Sequence, residues 1–255
     1  EAVLTGVHLG SYGHDLGDQH GLMALVRRIL AETEIPRLRL SSLEPWDLSP
    51  DFFDLWANSR LCPHLHLPLQ SGCDATLKRM RRNTDQESFR ALVDSARAAV
   101  PHISITTDVI VGFPGETEAE FAESRAFIES MAFAGLHVFP YSQRPETPAA
   151  RMKGQVRKAV KKARVTGLLD LSQRFEADFA AQFVSHSREV LWEQVTGATE
   201  DGFINVGYTD NYIRVRCVHP RPLNNHLTRA RLDAYDAATQ QMMSTAQIEA
   251  IKGDV

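Results

Sequence analysis

Apolar and polar positions alternate in short runs along the first half of the chain, and five such runs recur about every 30 residues. They are Ala2–His8, Arg37–Ser42, His64–Leu69, Ile103–Gly112 and Leu136–Tyr141, and each reads as a strand. Residues 20–32, 51–58, 74–99 and 118–133 carry helical spacing, the third interrupted near Asn83. Thr84 with Glu87, and Thr117 with Glu120, have the spacing of a capping box and mark helix starts. Strands alternating with helices at this period predict a parallel sheet, open or closed into a barrel.

The pattern inside each strand chooses between these. In His64–Gln70 the three leucines share one face, while His64, His66 and Gln70 share the other. Arg37–Ser41 splits in the same way. A doubly wound sheet is covered on both faces and reads almost wholly apolar. One leucine face and one polar face instead predict a partial, open parallel β/α barrel over residues 1–150, its outside packed on helices and its interior functional.

Beyond Tyr141 the texture changes. Residues 151–164 hold seven basic side chains (Arg151, Lys153, Arg157, Lys158, Lys161, Lys162, Arg164) and no acid. They lead into a helix over about 155–185, with Val165, Leu168, Leu169, Leu171 and Phe175 as its stripe, which makes 151–186 a basic linker. Strand patterns at Glu189–Val195, Phe203–Tyr208, Tyr212–Val218 and His226–Leu232, turned at Asp201-Gly202 and Asp210-Asn211, predict a small antiparallel barrel over 187–236. Residues 237–255 show little pattern and read as a tail.

A hydrophobic share of 43% and a net charge of −4 describe an ordinary globular protein, so any nucleic-acid contact must come from a local patch. No apolar run is long enough to span a membrane, and no signal peptide is visible. The three cysteines, Cys62, Cys73 and Cys217, fit neither a disulfide framework nor a metal spacing, which reads as reduced thiols in a cytoplasmic protein. The chain opens at Glu1 inside a strand, which reads as a C-terminal fragment of a longer protein.

The most informative run is Ile105–Thr117. It reads as a strand that ends in Gly112-Phe113-Pro114-Gly115 and opens into a helix. Asp108 sits mid-strand, where a carboxylate is costly unless a polar group meets it. The two glycines permit close approach of a ligand to the backbone. His64 and His66 project the same way and, with Asp108 and His137 on neighbouring strands, have metal-ligand chemistry, although lumen histidines are more often held by hydrogen bonds. Gln70, Ser71 and Glu44 lie at strand exits, where they face either a ligand or plain solvent. Tyr212, Arg214 and Arg216 alternate against Ile213 and Val215, which is how small barrels stack bases and hold phosphates.

Together, His64–Asp74 followed by Leu77-Lys78-Arg79-Met80, Thr107–Thr117, and Phe139–Ala150 resemble motifs of the radical S-adenosylmethionine methylthiotransferases. The final β segment resembles a TRAM domain, a small RNA-binding barrel. Leu4–Gly13 and Arg39–Pro45 look most like the branch acting on threonylcarbamoyladenosine in tRNA. The resemblance implies a transferase with a radical SAM type barrel and a TRAM-like barrel. It implies 2-methylthiolation beside the anticodon, with tRNA, sulfur donors and electron donors as partners. The cofactors implied for the full-length protein are 4Fe–4S clusters and S-adenosylmethionine. By the same resemblance Glu44, Gln70, Ser71, Asp108, Gly112 and Glu116 are candidates for the S-adenosylmethionine pocket, and Tyr212, Arg214 and Arg216 for RNA. The family's Cys-x-x-x-Cys-x-x-Cys spacing is absent, so no residue is assigned as a catalytic or cluster ligand and the chain alone is expected to be inactive. Two rivals stay open: a non-catalytic RNA-binding protein on a degenerate barrel, and a metal-dependent hydrolase using His64, His66 and Asp108.

Overall fold

A computed structural model describes residues 1–247. Five parallel strands form its first half: β1 Ala2–Leu4, β2 Leu38–Leu40, β3 His64–His66, β4 Ser104–Val111 and β5 Gly135–Pro140. They lie side by side in chain order. β1 pairs with β2, and β3 with β4 and β4 with β5, while single bridges Leu38 to Leu61 and Ser42 to His66 join the two sets. The connections carry helices: α1 Gly21–Glu32, a 3-10 helix Pro50–Ala57, α2 Asp74–Met80, α3 Gln86–Ala99 and α4 Glu118–Met131. This is a partial, open β/α barrel.

Strand alternation sorts the faces as the sequence predicts. Leu38, Leu40, Leu65, Leu67, Leu69, Ile105, Val109 and Val111 are buried in one core with Phe89, Val93, Ile128 and Met131 from the helices. Each such side chain contributes about 1.5–3 kcal/mol by leaving water. Arg39, His64, His66, Thr106, Asp108 and His137 turn the other way and line one cavity.

Several strands are shorter than the alternation implies. β3 stops at His66, two residues before Pro68, which has no N–H to give to the ladder. The Thr107 hydroxyl repairs the gap, donating to the Leu67 carbonyl at 2.6 Å and accepting from the Leu69 N–H at 3.0 Å. β1 ends at Leu4, and the chain from Leu9 to Ser11 turns into a 3-10 helix rather than continuing the strand to His8.

The break near Asn83 separates α2 from α3, through Arg81 in the left-handed region at φ 58°. The cap of α3 is Asp85 with Ser88, one residue later than Thr84 with Glu87: the Asp85 carboxylate accepts from the Ser88 N–H at 2.8 Å, and the Ser88 hydroxyl accepts in return from the Asp85 N–H at 3.1 Å. Thr117 and Glu120 do form the capping box of α4, and Glu120 also takes a two-pronged ion pair from Arg79.

After the short helix α5 Pro148–Arg151, α6 Lys158–Ala181 packs Leu168, Leu171 and Phe175 against the barrel core. Leu169, expected in that stripe, is exposed. Strands β6 Ser187–Thr199, β7 Gly202–Thr209, β8 Arg214–His219, β9 Leu227–Asp236 and β10 Gln241–Gln247 then close a second barrel in the order β10-β8-β7-β6-β9. The expected tail from 237 is therefore corrected: part of it is the closing strand. β10 lies antiparallel to β9 and parallel to β8, and removes the edge that β8 would otherwise expose. Among the described side chains of β10 only Met242 is buried; it packs with Trp192, Val215 and Leu232, and so short an apolar signal reads as loop in sequence. The rest of the tail, from 248, lies outside the described residues.

Met242→Ala should cost about 2–5 kcal/mol of stability in denaturant titration, as a core truncation does. A frayed tail predicts almost no change.

Candidate functional site

Four parallel strands deliver polar side chains to the lumen, around a cavity of about 740 Å³. Asp108 on β4 is its centre. Its Oδ1 lies 3.2 Å from His66 Nε2 on β3 and 3.3 Å from His137 Nδ1 on β5. The two imidazoles stack with centroids 5.1 Å apart. His66 Nδ1 meets Thr106 Oγ1 at 2.9 Å, and the same hydroxyl is 3.4 Å from His64 Nε2. The polar partner that a mid-strand aspartate requires is thus a pair of histidines.

The electrostatics follow from this arrangement. Burial pushes the Asp108 carboxyl up, but hydrogen bonds from His137 and His66 outweigh it and hold the group well below the usual carboxylate range. The hydrogen bond to Asp108 raises His137 against partial burial. Burial, with Arg39 nearby, drives His64 well below an ordinary imidazole and keeps it neutral.

A second cavity, about 600 Å³, opens at the strands' C-terminal ends, where β/α barrels hold ligands. Gln70, Arg82, Asp108, Ile110, Phe113 and Tyr141 line it, so Asp108 faces both spaces. Gln70 is held in the left-handed region at φ 70°, its backbone bridging Asp108 and Ile110. Glu44 reaches this cavity through Arg82, whose guanidinium it binds at 2.9 Å and which lies over Trp46. Ser71 is buried and accepts from the Cys73 N–H at 3.3 Å, a turn contact.

The Gly112–Glu116 turn serves a different purpose from the one its glycines suggest. A side chain on Gly112 would collide with Lys161 of α6, and Gly115 packs against the backbone of Gly154. The protein itself occupies the space expected for a ligand. The Glu116 carboxylate is buried on that same side, accepting from the Gly112 N–H at 2.5 Å and from Arg164 at 2.6 Å. Burial raises this acid, with the Gly112 N–H and Arg164 opposing. Gln70 and Asp108 therefore converge, whereas Glu116 lies apart from them.

The second barrel docks on the first through its β7–β8 turn. Arg37 and Arg39 share the Glu1 carboxylate and donate to the carbonyls of Tyr208, Thr209 and Asp210. Tyr212 stacks on His64 at 4.6 Å and on Tyr208 at 4.8 Å, with Arg39 4.7 Å from its ring centre. It precedes β8 at φ 68° and so leaves the alternation of Arg214 and Arg216. Tyr212 and Arg214 line the lumen cavity; Arg216 lies farther along β8. Of the basic run, Arg164 is buried against Glu116 and Lys161 binds the Tyr141 carbonyl, leaving Arg151, Lys153, Arg157, Lys158 and Lys162 exposed. The anchoring arginines were legible only as members of a polar strand face; nothing local marks their partners 170 residues away.

Cys62, Cys73 and Cys217 are all buried, Cys62 near Glu1, Cys73 near Glu123 and Cys217 in the second barrel's core. Among the described residues no three cysteines converge, and these thiols do not fit an iron–sulfur cluster. The second cavity does fit an adenosyl ligand, with aromatic walls and a few polar groups.

Residues 5–128 match the radical SAM superfamily. The chain is 42% identical over 216 residues to the threonylcarbamoyladenosine tRNA methylthiotransferase MtaB of Bacillus subtilis, covering 84% of this chain and 48% of that protein. To the enzyme of the same description from Thermotoga maritima it is 36% identical, covering 91% of this chain and 52% of the relative. The tRNA-2-methylthio-N(6)-dimethylallyladenosine synthase of Thermobifida fusca is 41% identical over 79% of this chain and 41% of its own length. The chain thus spans about half the length of these relatives. Among solved structures, the radical SAM enzyme coproporphyrinogen III oxidase (HemN) from Escherichia coli shares the fold at TM-score 0.51 and 15% identity, over 76% of this chain and 51% of that one.

Fold and matches together make the chain a radical SAM protein. Within that class it is related to the tRNA methylthiotransferases.

Arg164→Leu should destabilise the chain by about 3–5 kcal/mol, since it strands the buried Glu116 carboxylate. Adding Glu116→Gln should recover part of that loss in thermal unfolding, whereas strictly additive losses would contradict a coupled pair.

Proposed function

We propose that the chain works as a tRNA methylthiotransferase on N6-threonylcarbamoyladenosine beside the anticodon, with the radical cluster's ligands supplied from outside these residues. The observation that carries the choice of substrate is the lumen cavity, lined by Arg39, Asp108, His137, Glu176 and Arg214. A threonylcarbamoyl substituent brings urea N–H donors and a carboxylate, which such groups satisfy. An isopentenyl substituent is hydrocarbon and would desolvate the remaining hydrogen-bonding capacity of this wall, that of Arg214 above all, at a cost of about 1–3 kcal/mol per unmet group. The similarity to enzymes described as acting on threonylcarbamoyladenosine supports the same reading.

In this proposal Gln70 and Asp108 hold the polar groups of S-adenosylmethionine in the second cavity, and Phe113 and Tyr141 wall its apolar part. When bound, that cofactor supplies the source of the radical and the methyl group. Glu44 acts by orienting Arg82, while Ser71, Gly112 and Glu116 shape the turns that frame the cavity. The exposed basic side chains ahead of α6 and in its first turns, with Arg214 and Arg216, follow the tRNA backbone. Sulfur and electron donors complete the set of partners, in a cytoplasmic setting.

A non-catalytic RNA-binding role is the second reading, favoured by the scattered cysteines. Both readings predict no 5′-deoxyadenosine after iron–sulfide reconstitution of this chain, and clear production would refute the proposal that the cluster's ligands lie elsewhere. Substrate choice separates the two. Competition binding should favour tRNA bearing threonylcarbamoyladenosine over tRNA bearing isopentenyladenosine, and equal affinity would sink the enzyme reading. Replacing Lys153, Arg157, Lys158 and Lys162 by Gln should weaken binding of every tRNA. The salt dependence of log K should flatten by about 0.7–0.9 per lost phosphate contact. An unmoved slope would remove this strip from the interface.

A further inference from the structure

We propose that His66 Nε2, Asp108 Oδ1 and His137 Nδ1 form a mononuclear site for a divalent first-row cation. Its open coordination face would meet the lumen cavity, where a water or an anionic oxygen completes the shell. The proposal shares Asp108 and His137 with the substrate reading above, but it rests on the spacing of three donor atoms and their support.

The donor spacing carries the argument. Four-coordinate zinc with nitrogen and oxygen ligands at about 2.0–2.1 Å sets neighbouring donors about 3.3 Å apart. Asp108 Oδ1 lies 3.2 Å from His66 Nε2 and 3.3 Å from His137 Nδ1. All three atoms fall within 4.8 Å of one another. Only the edge between the histidines needs to close, and His137, exposed at 61% of its side chain, has the freedom to turn. Two imidazoles and one carboxylate suit zinc, iron(II) and their neighbours and disfavour calcium or magnesium, which prefer all-oxygen shells.

The surroundings prepare His66 as a ligand. The single Thr106 hydroxyl proton can be given to the Nε2 of His64, 3.4 Å away. The same oxygen then accepts the His66 Nδ1–H at 2.9 Å. In that tautomer His66 Nε2 gives up its hydrogen bond to Asp108 and offers a lone pair instead, so that a cation between the two takes the place of the shared proton. A ring nitrogen fixed by a second hydrogen bond is the usual support of a ligating histidine. The strand register supplies the rest: His66 pairs with Thr106, and Asp108 with His137. The three ligands therefore sit on rigid backbone.

The test uses the whole chain, stripped with a chelator and titrated with Zn²⁺ alone and with Co²⁺ as a spectroscopic substitute. We expect a single bound ion per chain, and intense visible bands of four- or five-coordinate cobalt without a thiolate charge-transfer band. His137→Gln, at an exposed position, should raise the Kd for Zn²⁺ by more than about tenfold, and Thr106→Val by about tenfold through loss of the hydrogen bond that holds His66 Nδ1. Circular dichroism should stay unchanged in both. The proposal falls if the wild type binds no more tightly than His137→Gln, if cobalt gives only weak six-coordinate bands, or if a thiolate band appears that vanishes on Cys62→Ser or Cys73→Ser.

Discussion

A carboxylate in the middle of a parallel strand, facing inward, constrains everything around it. Removed from water and unpaired, Asp108 would cost several kcal/mol. The barrel meets that demand from both sides, with His66 on the preceding strand and His137 on the following one, at the positions that parallel register brings beside it. The histidines create demands of their own, and Thr106 answers two of them. A chain of partners thus runs across three strands, and the leucine face behind it keeps those strands fixed.

The second barrel is seated by the same kind of compensation. Arg37 and Arg39 are buried at the entry of β2, where guanidinium groups need several acceptors. Glu1 supplies the charge, and three consecutive carbonyls of the β7–β8 turn supply the remaining acceptors. The turn brings Tyr212 and Arg214 to the lumen. The second barrel therefore ends at the wall of the lumen cavity.

The Gly112-Phe113-Pro114-Gly115 turn shows how a motif can be right about backbone and silent about occupancy. Its glycines do adopt positive φ, 73° at Gly112 and 82° at Gly115. The space they leave is filled by Lys161 and Gly154 from the segment that joins the two barrels. Glu116 and Arg164 lock that segment in place. The basic run of the linker thus divides between exposed cations and structural ones.

The periodicity of the sequence determined the parallel barrel, the leucine exterior, the polar lumen and most helix positions. These follow from near-neighbour rules: period two in strands, period 3.6 in helices, and capping within a turn. Motif resemblance supplied the family and the candidate residues. Only the tertiary structure decided which of those residues meet. Asp108 joined His66, His137 and Gln70, while Glu116 turned to Arg164. Tyr212 packed on its own chain, and Gln241–Gln247 closed a barrel from what reads as a tail. Most of these depend on partners far along the chain, 29 residues away for Asp108 and His137 and 48 for Glu116 and Arg164, whose burial and hydrogen bonding no local pattern encodes.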